Sequence, residues 1–175
     1  MNEVILNFLI VAVIFGLSIL LLVLFKKRVT FEVFNDLIIA NDLAYPANIP
    51  NYAIKSITLI DKMPKVTIKS NGYGGIRTRK GIYRIIGGKR VILYVEDFSK
   101  SPFIKIETVR ENVYINFKNK ELTQQLYDEM TKTVKILPET DLADCKFVST
   151  KRSWVIVGIF IAILIVLGAI PAVLI

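Results

Sequence analysis

Two long apolar stretches lie near the ends of the chain and enclose a region of mixed pattern. Val4 to Phe25 contains no charged residue, and Trp154 to Ile175 contains neither a charge nor a polar side chain other than the indole. At about 1.5 Å rise per residue, a helix of either length reaches roughly 33 Å, which is enough to cross the hydrocarbon core of a bilayer. The pattern therefore predicts two transmembrane helices.

The region between these stretches predicts a series of short β-strands. Phe103 to Glu107 and Val113 to Phe117 alternate apolar and polar residues, which is typical of a sheet with one solvent-exposed face. Asn35-Asp36 and Gly87-Gly88 each separate two apolar runs and predict tight hairpin turns. The segment from Asn71 to Gly75 is rich in glycine, and we predict a loop there.

A helix is predicted after the last strand. Asn119 is a suitable N-cap and Pro138 ends the helix, while apolar residues recur at every fourth position, at Leu122, Leu126, Met130 and Val134. We expect about seven strands that form a partly open, mostly β barrel, with this helix capping its open end. The predicted order is a transmembrane helix with a basic flank (1–28), a β domain (29–137), a linker (138–152) and a second transmembrane helix (153–175).

Several short stretches of the central region resemble the family of small bacterial pleckstrin-homology-like (PH-like) domains, many of which are attached to membranes. The resemblance covers roughly Thr30 to Lys135, and it rests on these stretches: Ile49 to Asp61 with Pro64, Asn71-Gly72-Tyr73-Gly74, Arg79-Lys80-Gly81-Ile82-Tyr83, Leu93-Tyr94-Val95, Ser101 to Ile106, and Val113-Tyr114-Ile115-Asn116. It implies a fold and frequent membrane attachment, and it supplies no catalytic residue or agreed ligand.

Phosphoinositide recognition does not follow from this resemblance. PH domains that bind phosphoinositides carry basic residues in the first strand and the first hairpin loop. Here that turn is Asn35-Asp36, and Glu32 lies close by in the sequence. The acidic character of this region is the opposite of what a phosphorylated headgroup requires.

Composition and charge support the membrane interpretation. Hydrophobic residues make up 53% of the 175 residues. Lys26, Lys27 and Arg28 follow the first apolar stretch directly, and Lys151 and Arg152 precede the second. The positive-inside rule then predicts a multi-pass cell-membrane protein with a cytoplasmic central domain. A cleaved signal peptide is the alternative for the first stretch, but no Lys or Arg precedes it and the apolar run is long.

The sequence offers little chemistry for catalysis. It contains no histidine and one cysteine, Cys145, which excludes histidine-based catalysis and an intrachain disulfide. Gly72 to Arg77 does not match the dinucleotide-binding glycine pattern, and the residues around Gly88-Lys89 do not match a P-loop. No set of carboxylates has metal-ligand spacing. We therefore predict a protein that is not an enzyme and has neither cofactor nor metal.

A basic segment is the strongest functional signal. No acidic residue occurs from Lys62 to Val95, and we predict that Arg77, Arg79, Lys80 and Arg84 face anionic lipid headgroups. General positive charge on a cytoplasmic face would produce the same bias. We expect a membrane-anchored binding or scaffolding module that contacts lipids through its two spans and recruits a protein partner, with headgroup binding as the alternative. Nucleic acid is not expected, because aromatic residues do not interleave with the basic ones.

Overall fold

The computed structural model describes residues 28–136 and a few positions before them, namely 8, 11–13, 15, 16, 19 and 23. Residues 28–136 form a mostly β domain with one α-helix at its end. Its elements are β1 (Thr30–Val33), β2 (Leu37–Asn41), β3 (Ala47–Pro50), a 3-10 turn (Asn51–Ala53), β4 (Ile54–Ile60), β5 (Val66–Gly74), β6 (Arg79–Ile85), β7 (Arg90–Val95), β8 (Phe103–Thr108), β9 (Asn112–Asn116) and α1 (Lys120–Thr133).

The first strands form a small antiparallel sheet of their own, in the order β1-β2-β3. The turn between β1 and β2 consists of Asn35 and Asp36, and it is closed by the Phe34 amide, which donates to the Leu37 carbonyl at 2.8 Å. The predicted hairpin at this position is confirmed. Ile38 and Ala40 of β2 and Ile49 of β3 are buried, so one face of the small sheet packs against the rest of the domain.

The remaining strands form a six-stranded sheet in the order β4-β8-β9-β7-β6-β5. The hairpin between β6 and β7 turns at Gly87 and Gly88, whose φ angles of 89° and 76° require glycine, as the sequence predicts. Strand β9 inserts between β7 and β8. It therefore runs antiparallel to β8 and parallel to β7, with Val91 opposite Asn112.

The six-stranded sheet must curl, because a short link joins its two outer strands. β4 and β5 lie at opposite edges, yet the chain from Ile60 to Val66 can span at most about 21 Å when fully extended. The outer strands of a flat six-stranded sheet lie about 24 Å apart. The link packs on the sheet through Met63, with Ile60 and Val66 at its ends, so the sheet curls around this face.

Both faces of the central strands are buried, which differs from the predicted sheet with one wet face. One face of the sheet contributes Ile92, Ile106 and Ile115 to the main core, which the small sheet and α1 complete. On the other face, Leu93 and Tyr114 belong to a second core that includes Val91, Val95, Phe103, Tyr83 and Ile85. Of the two strands for which the sequence predicts an exposed face, β9 is buried on both sides, whereas β8 keeps a partly exposed polar face at Lys105 and Glu107.

Helix α1 covers the main core at the edge formed by β4. Asn119 is its N-cap and accepts a hydrogen bond from the Glu121 amide at 2.9 Å, as the sequence predicts. Leu126, Met130 and Val134 are buried, whereas Leu122 is only half-buried. The helix contacts β1, β4, β8 and β9, so it joins the small sheet to the large one.

The predicted fold class is wrong in two respects. The strands form two sheets with a parallel pair, rather than a partly open barrel of about seven strands. In addition, no helix among the residues that the structure describes is both long and apolar enough to cross a membrane. The two predicted spans, Val4 to Phe25 and Trp154 to Ile175, lie mostly or entirely outside the described residues. On this finding the transmembrane assignment and the multi-pass cell-membrane localisation are not retained.

Met130 tests whether the helix is an integral part of the main core. Met130 is fully buried, so Met130→Ala should lower the free energy of unfolding by about 2–5 kcal/mol through lost burial and a residual cavity. Chemical denaturation followed by circular dichroism measures this loss. Glu129→Ala, an exposed change on the same helix, is the matched control and should alter stability by less than about 0.5 kcal/mol. Equal effects of the two substitutions would contradict the packing.

Candidate binding surface

The glycine-rich segment is part of a strand and not the predicted loop. Residues 71–74 belong to β5, and Gly72 lies directly opposite Gly81 of β6. None of these β5 glycines has a positive φ angle; among the described glycines only Gly81, Gly87 and Gly88 do. Two register shifts in β5, between Val66 and Ile68 and between Lys69 and Asn71, bend this outer strand.

The two paired glycines allow β5 and β6 to approach closely. A Cβ atom at Gly81 would lie 2.6 Å from the Asn71 carbonyl oxygen, and one at Gly72 would lie 2.9 Å from the Tyr83 ring. The ring therefore crosses Gly72, and the Tyr83 hydroxyl donates to the Tyr73 carbonyl at 2.6 Å. Burial raises the pKa of Tyr83 to about 12. The close approach of the two strands therefore accounts for Gly72 and Gly81, and no phosphate ligand is needed to explain these glycines.

Lys80, predicted to face lipid, is buried in an ion pair with Asp42. The Lys80 Nζ lies 3.1 Å from Asp42 Oδ2, and both side chains are almost inaccessible to solvent. The amides of Ala44 and Tyr45 donate to Asp42 Oδ1 at 3.0 and 2.9 Å, so the carboxylate also shapes the turn between β2 and β3. The pair links this turn to β6. Sequence reasoning missed Asp42, because nothing local connects it with a lysine so far along the chain.

Arg77 lies on an exposed turn beside a buried carboxylate. Its guanidinium is 3.8 Å from Asp97 Oδ2. The hydroxyl of Ser99 donates to Asp97 Oδ1 at 2.6 Å, and this bond, aided by the charge of Arg77, lowers the pKa of Asp97. Asn116 is fully buried and donates to the carbonyls of Asp97 and Lys100 at 2.8 and 2.7 Å. These bonds fix the loop between β7 and β8.

Arg79 and Arg84 lie on opposite faces of β6. Arg79 points to the face of the second core, where its guanidinium lies 4.9 Å from the centre of the Phe98 ring and donates to the Gly75 and Thr78 carbonyls. Arg84 is exposed on the other face, opposite Ile68 of β5 and Arg90 of β7. Arg90 pairs with Glu111 at 2.7 Å, whereas the structure gives Arg84 no acidic partner within residues 28–136.

The four residues predicted to form one lipid-facing patch therefore do not share a surface. One is buried, one pairs with Asp97 on a turn, and the remaining two project from opposite faces of a strand. Of the predicted juxtamembrane basic residues, the structure describes only Arg28, which pairs with Glu96 at 3.1 Å and stacks on Phe117. Lys26, Lys27, Lys151 and Arg152 lie outside the described residues.

Comparison of the chain with known proteins identifies no relative. Comparison with protein-family models, with curated proteins and with solved structures found no match to the chain. Within the part of the chain that the structure describes, no group of three or more His, Cys, Asp or Glu side chains could hold a metal ion. The resemblance to bacterial PH-like domains therefore stays a prediction.

Gly81→Ala tests the close approach of β5 and β6. The added methyl group would clash with backbone atoms and impose a φ of +105° on alanine, so we expect a loss of about 2 kcal/mol or more in unfolding free energy. Gly75→Ala is the matched control, because its nearest neighbour would lie at an ordinary 3.7 Å. Denaturant titration compares the two. A Gly81→Ala protein as stable as the parent would show that the strands are farther apart.

A second prediction concerns the buried pair of Asp42 and Lys80. Lys80→Met leaves the carboxylate buried without its ammonium partner and should cost about 3–5 kcal/mol of stability. In Lys80→Met/Asp42→Asn the buried charge is gone, while the amide oxygen can still accept from the Ala44 and Tyr45 amides. We therefore expect the double variant to be more stable than Lys80→Met alone. The reverse order in denaturant titrations would contradict a charge-based role.

Proposed function

We propose that this domain is a non-enzymatic binding module that recruits an acidic protein partner along the β5–β6 edge of its large sheet. The observation that carries the proposal is the distribution of exposed cations at this edge. Lys69 lies on β5, Arg84 on β6, and Lys89 in the hairpin loop after β6. No acidic residue occurs between Lys62 and Val95 in the sequence, and the carboxylate that interacts with one of these cations is that of Glu107 on β8, which lies near Lys89. We call Lys69, Arg84 and Lys89 the basic edge.

The basic edge presents charge on both faces of the sheet. Lys69 is opposite Tyr83, whose side chain belongs to the second core, so Lys69 projects from that face. Arg84 follows Tyr83 in β6 and projects from the other face, because successive side chains of a strand alternate. A partner that contacts both residues must therefore wrap around the edge.

This geometry favours a protein partner over a flat bilayer. Charge attraction decays over about 8 Å at physiological ionic strength. When a bilayer approaches one face of the sheet, the cations on the opposite face stay about that far from the lipid headgroups, so they are attracted only weakly. An acidic protein surface or loop can instead bend around the edge of the sheet and contact the cations on both faces. Binding of anionic lipid headgroups is the second candidate. It is favoured by Ile86, which is 63% exposed in the loop between Arg84 and Lys89.

The partner is expected to bind through side chains rather than by adding a strand. β5 is an outer strand, and such edges are open to pairing with another chain. Here, however, Lys69 and the two register shifts oppose a regular ladder of hydrogen bonds. Charge complementarity is then the main source of affinity, and binding should weaken as salt increases.

The test uses poly-L-glutamate as a model acidic chain and the full-length protein. Neutralising the basic edge with Lys69→Gln/Arg84→Gln/Lys89→Gln should weaken binding about tenfold, if each cation contributes about 0.5 kcal/mol. Lys120→Gln/Lys132→Gln/Lys135→Gln removes the same charge from exposed positions on and just after α1 and is the matched control. Fluorescence anisotropy at several salt concentrations measures both.

The outcomes separate the two candidates. Selective loss of polyglutamate binding in the basic-edge variant supports recruitment of an acidic protein. Equal weakening by both triple variants would mean that only net charge matters and would overturn the proposal. Binding to phosphatidylglycerol vesicles, lost in the basic-edge variant and absent with polyglutamate, would replace the protein partner with lipid headgroups.

A further inference from the structure

A cavity of about 500 Å³ lies between the β4–β5 link and the loop from β7 to β8. This volume falls within the range of small-molecule sites in proteins. The link contributes residues 61–65 to its wall, and the loop contributes Phe98, Ser99 and Ser101. The cavity is separate from the basic edge, because none of the three residues that define that edge lines it.

The floor of the cavity is apolar and continuous with the second core. Phe103 is a buried member of that core, and Met63 and Val66 are half-buried residues packed against it. Phe98, from the opposite wall, is partly exposed and adds an aromatic surface. An apolar group placed here would bury surface against the core without requiring the strands to separate.

The rim of the cavity is basic. Lys62 and Lys65 of the link are exposed, and Arg79 of β6 lines the same cavity. Asp61 is the acidic residue among the lining residues, so positive charge predominates. The Arg79 guanidinium is held by the Gly75 and Thr78 carbonyls and by stacking on Phe98. A cation fixed in this way loses little conformational entropy when it binds an anion.

We propose that this cavity binds a small anionic amphiphile, namely a carboxylate that carries an alkyl chain. The chain would pack on Phe103, Met63 and Val66, and the carboxylate would lie at the rim between Lys62, Lys65 and Arg79. Planar carboxylate recognition by a guanidinium is strong and directional, which suits the fixed Arg79. The proposal does not depend on the acidic protein partner, since different residues carry it.

The experiment titrates the full-length protein with monomeric decanoate by isothermal titration calorimetry. Decanol and decyltrimethylammonium have the same alkyl chain and serve as neutral and cationic comparisons. Decanoate should bind about tenfold or more tightly than decanol, which corresponds to about 1.4 kcal/mol from the charged rim. Lys62→Gln/Lys65→Gln should reduce decanoate affinity about tenfold and leave decanol affinity unchanged, because only the charge contacts are lost.

The controls use variants whose side chains leave the fold intact. Lys62 and Lys65 are both exposed, and an unchanged denaturation midpoint shows that the double variant still folds. The basic-edge variant Lys69→Gln/Arg84→Gln/Lys89→Gln should bind decanoate like the parent. No binding of decanoate by the parent, equal affinity for decanoate and decanol, or equal weakening in the two sets of variants would each overturn the proposal. Binding to phosphatidylglycerol vesicles without binding of monomeric decanoate would overturn it as well.

Discussion

The short link between β4 and β5 is the constraint on which the domain's shape depends. It joins the two edges of a six-stranded sheet across a distance that a flat sheet would not allow. The sheet curls, and its concave face is covered by the link itself through Met63 and by the ends of the flanking strands. That face becomes a second core. The other face receives the small sheet and α1, so the central strands are buried on both sides.

Burial on both sides explains why most buried polar side chains of the described domain are paired, with Glu111 Oε2 as the exception. A buried charge or amide without a partner costs several kcal/mol, so such groups persist only within hydrogen-bond networks. Asp42 and Lys80 compensate each other between the small sheet and β6. Asn116 bonds the loop after β7 through its amide group, and Tyr94 donates to the Tyr45 carbonyl. Burial accordingly raises the pKa of the Tyr94 hydroxyl, which acts as a donor and stays neutral.

Local features were predictable from the sequence, whereas long-range arrangement was not. The turns at Asn35-Asp36 and Gly87-Gly88 and the cap at Asn119 depend on neighbouring residues, and the structure contains all three. No short stretch of the sequence indicates that β9 pairs with β7, and none indicates that Asp42 forms an ion pair with Lys80. The sequence predicts a loop at Gly72 where the structure has a strand, because glycine occurs both in flexible turns and at close strand contacts, and only the position of Tyr83 distinguishes the two.

The basic segment shows how strand geometry converts one sequence signal into separate surfaces. In the sequence, the cations from Arg77 to Arg84 look like a single patch. Side chains alternate along β6, however, so Arg79 points toward the cavity, whereas Lys80 and Arg84 point toward the opposite face. There the small sheet covers Lys80 through Asp42, and Arg84, farther along the strand, remains exposed. The absence of acidic residues from Lys62 to Val95 therefore serves more than one site. It leaves the basic edge with Glu107 beside Lys89 but with no acidic residue of its own, and it makes the lining of the cavity mainly positive through Lys62, Lys65 and Arg79. A charge count along the chain cannot separate these two consequences, because only the pairing of β5 with β6 determines which cations share a face.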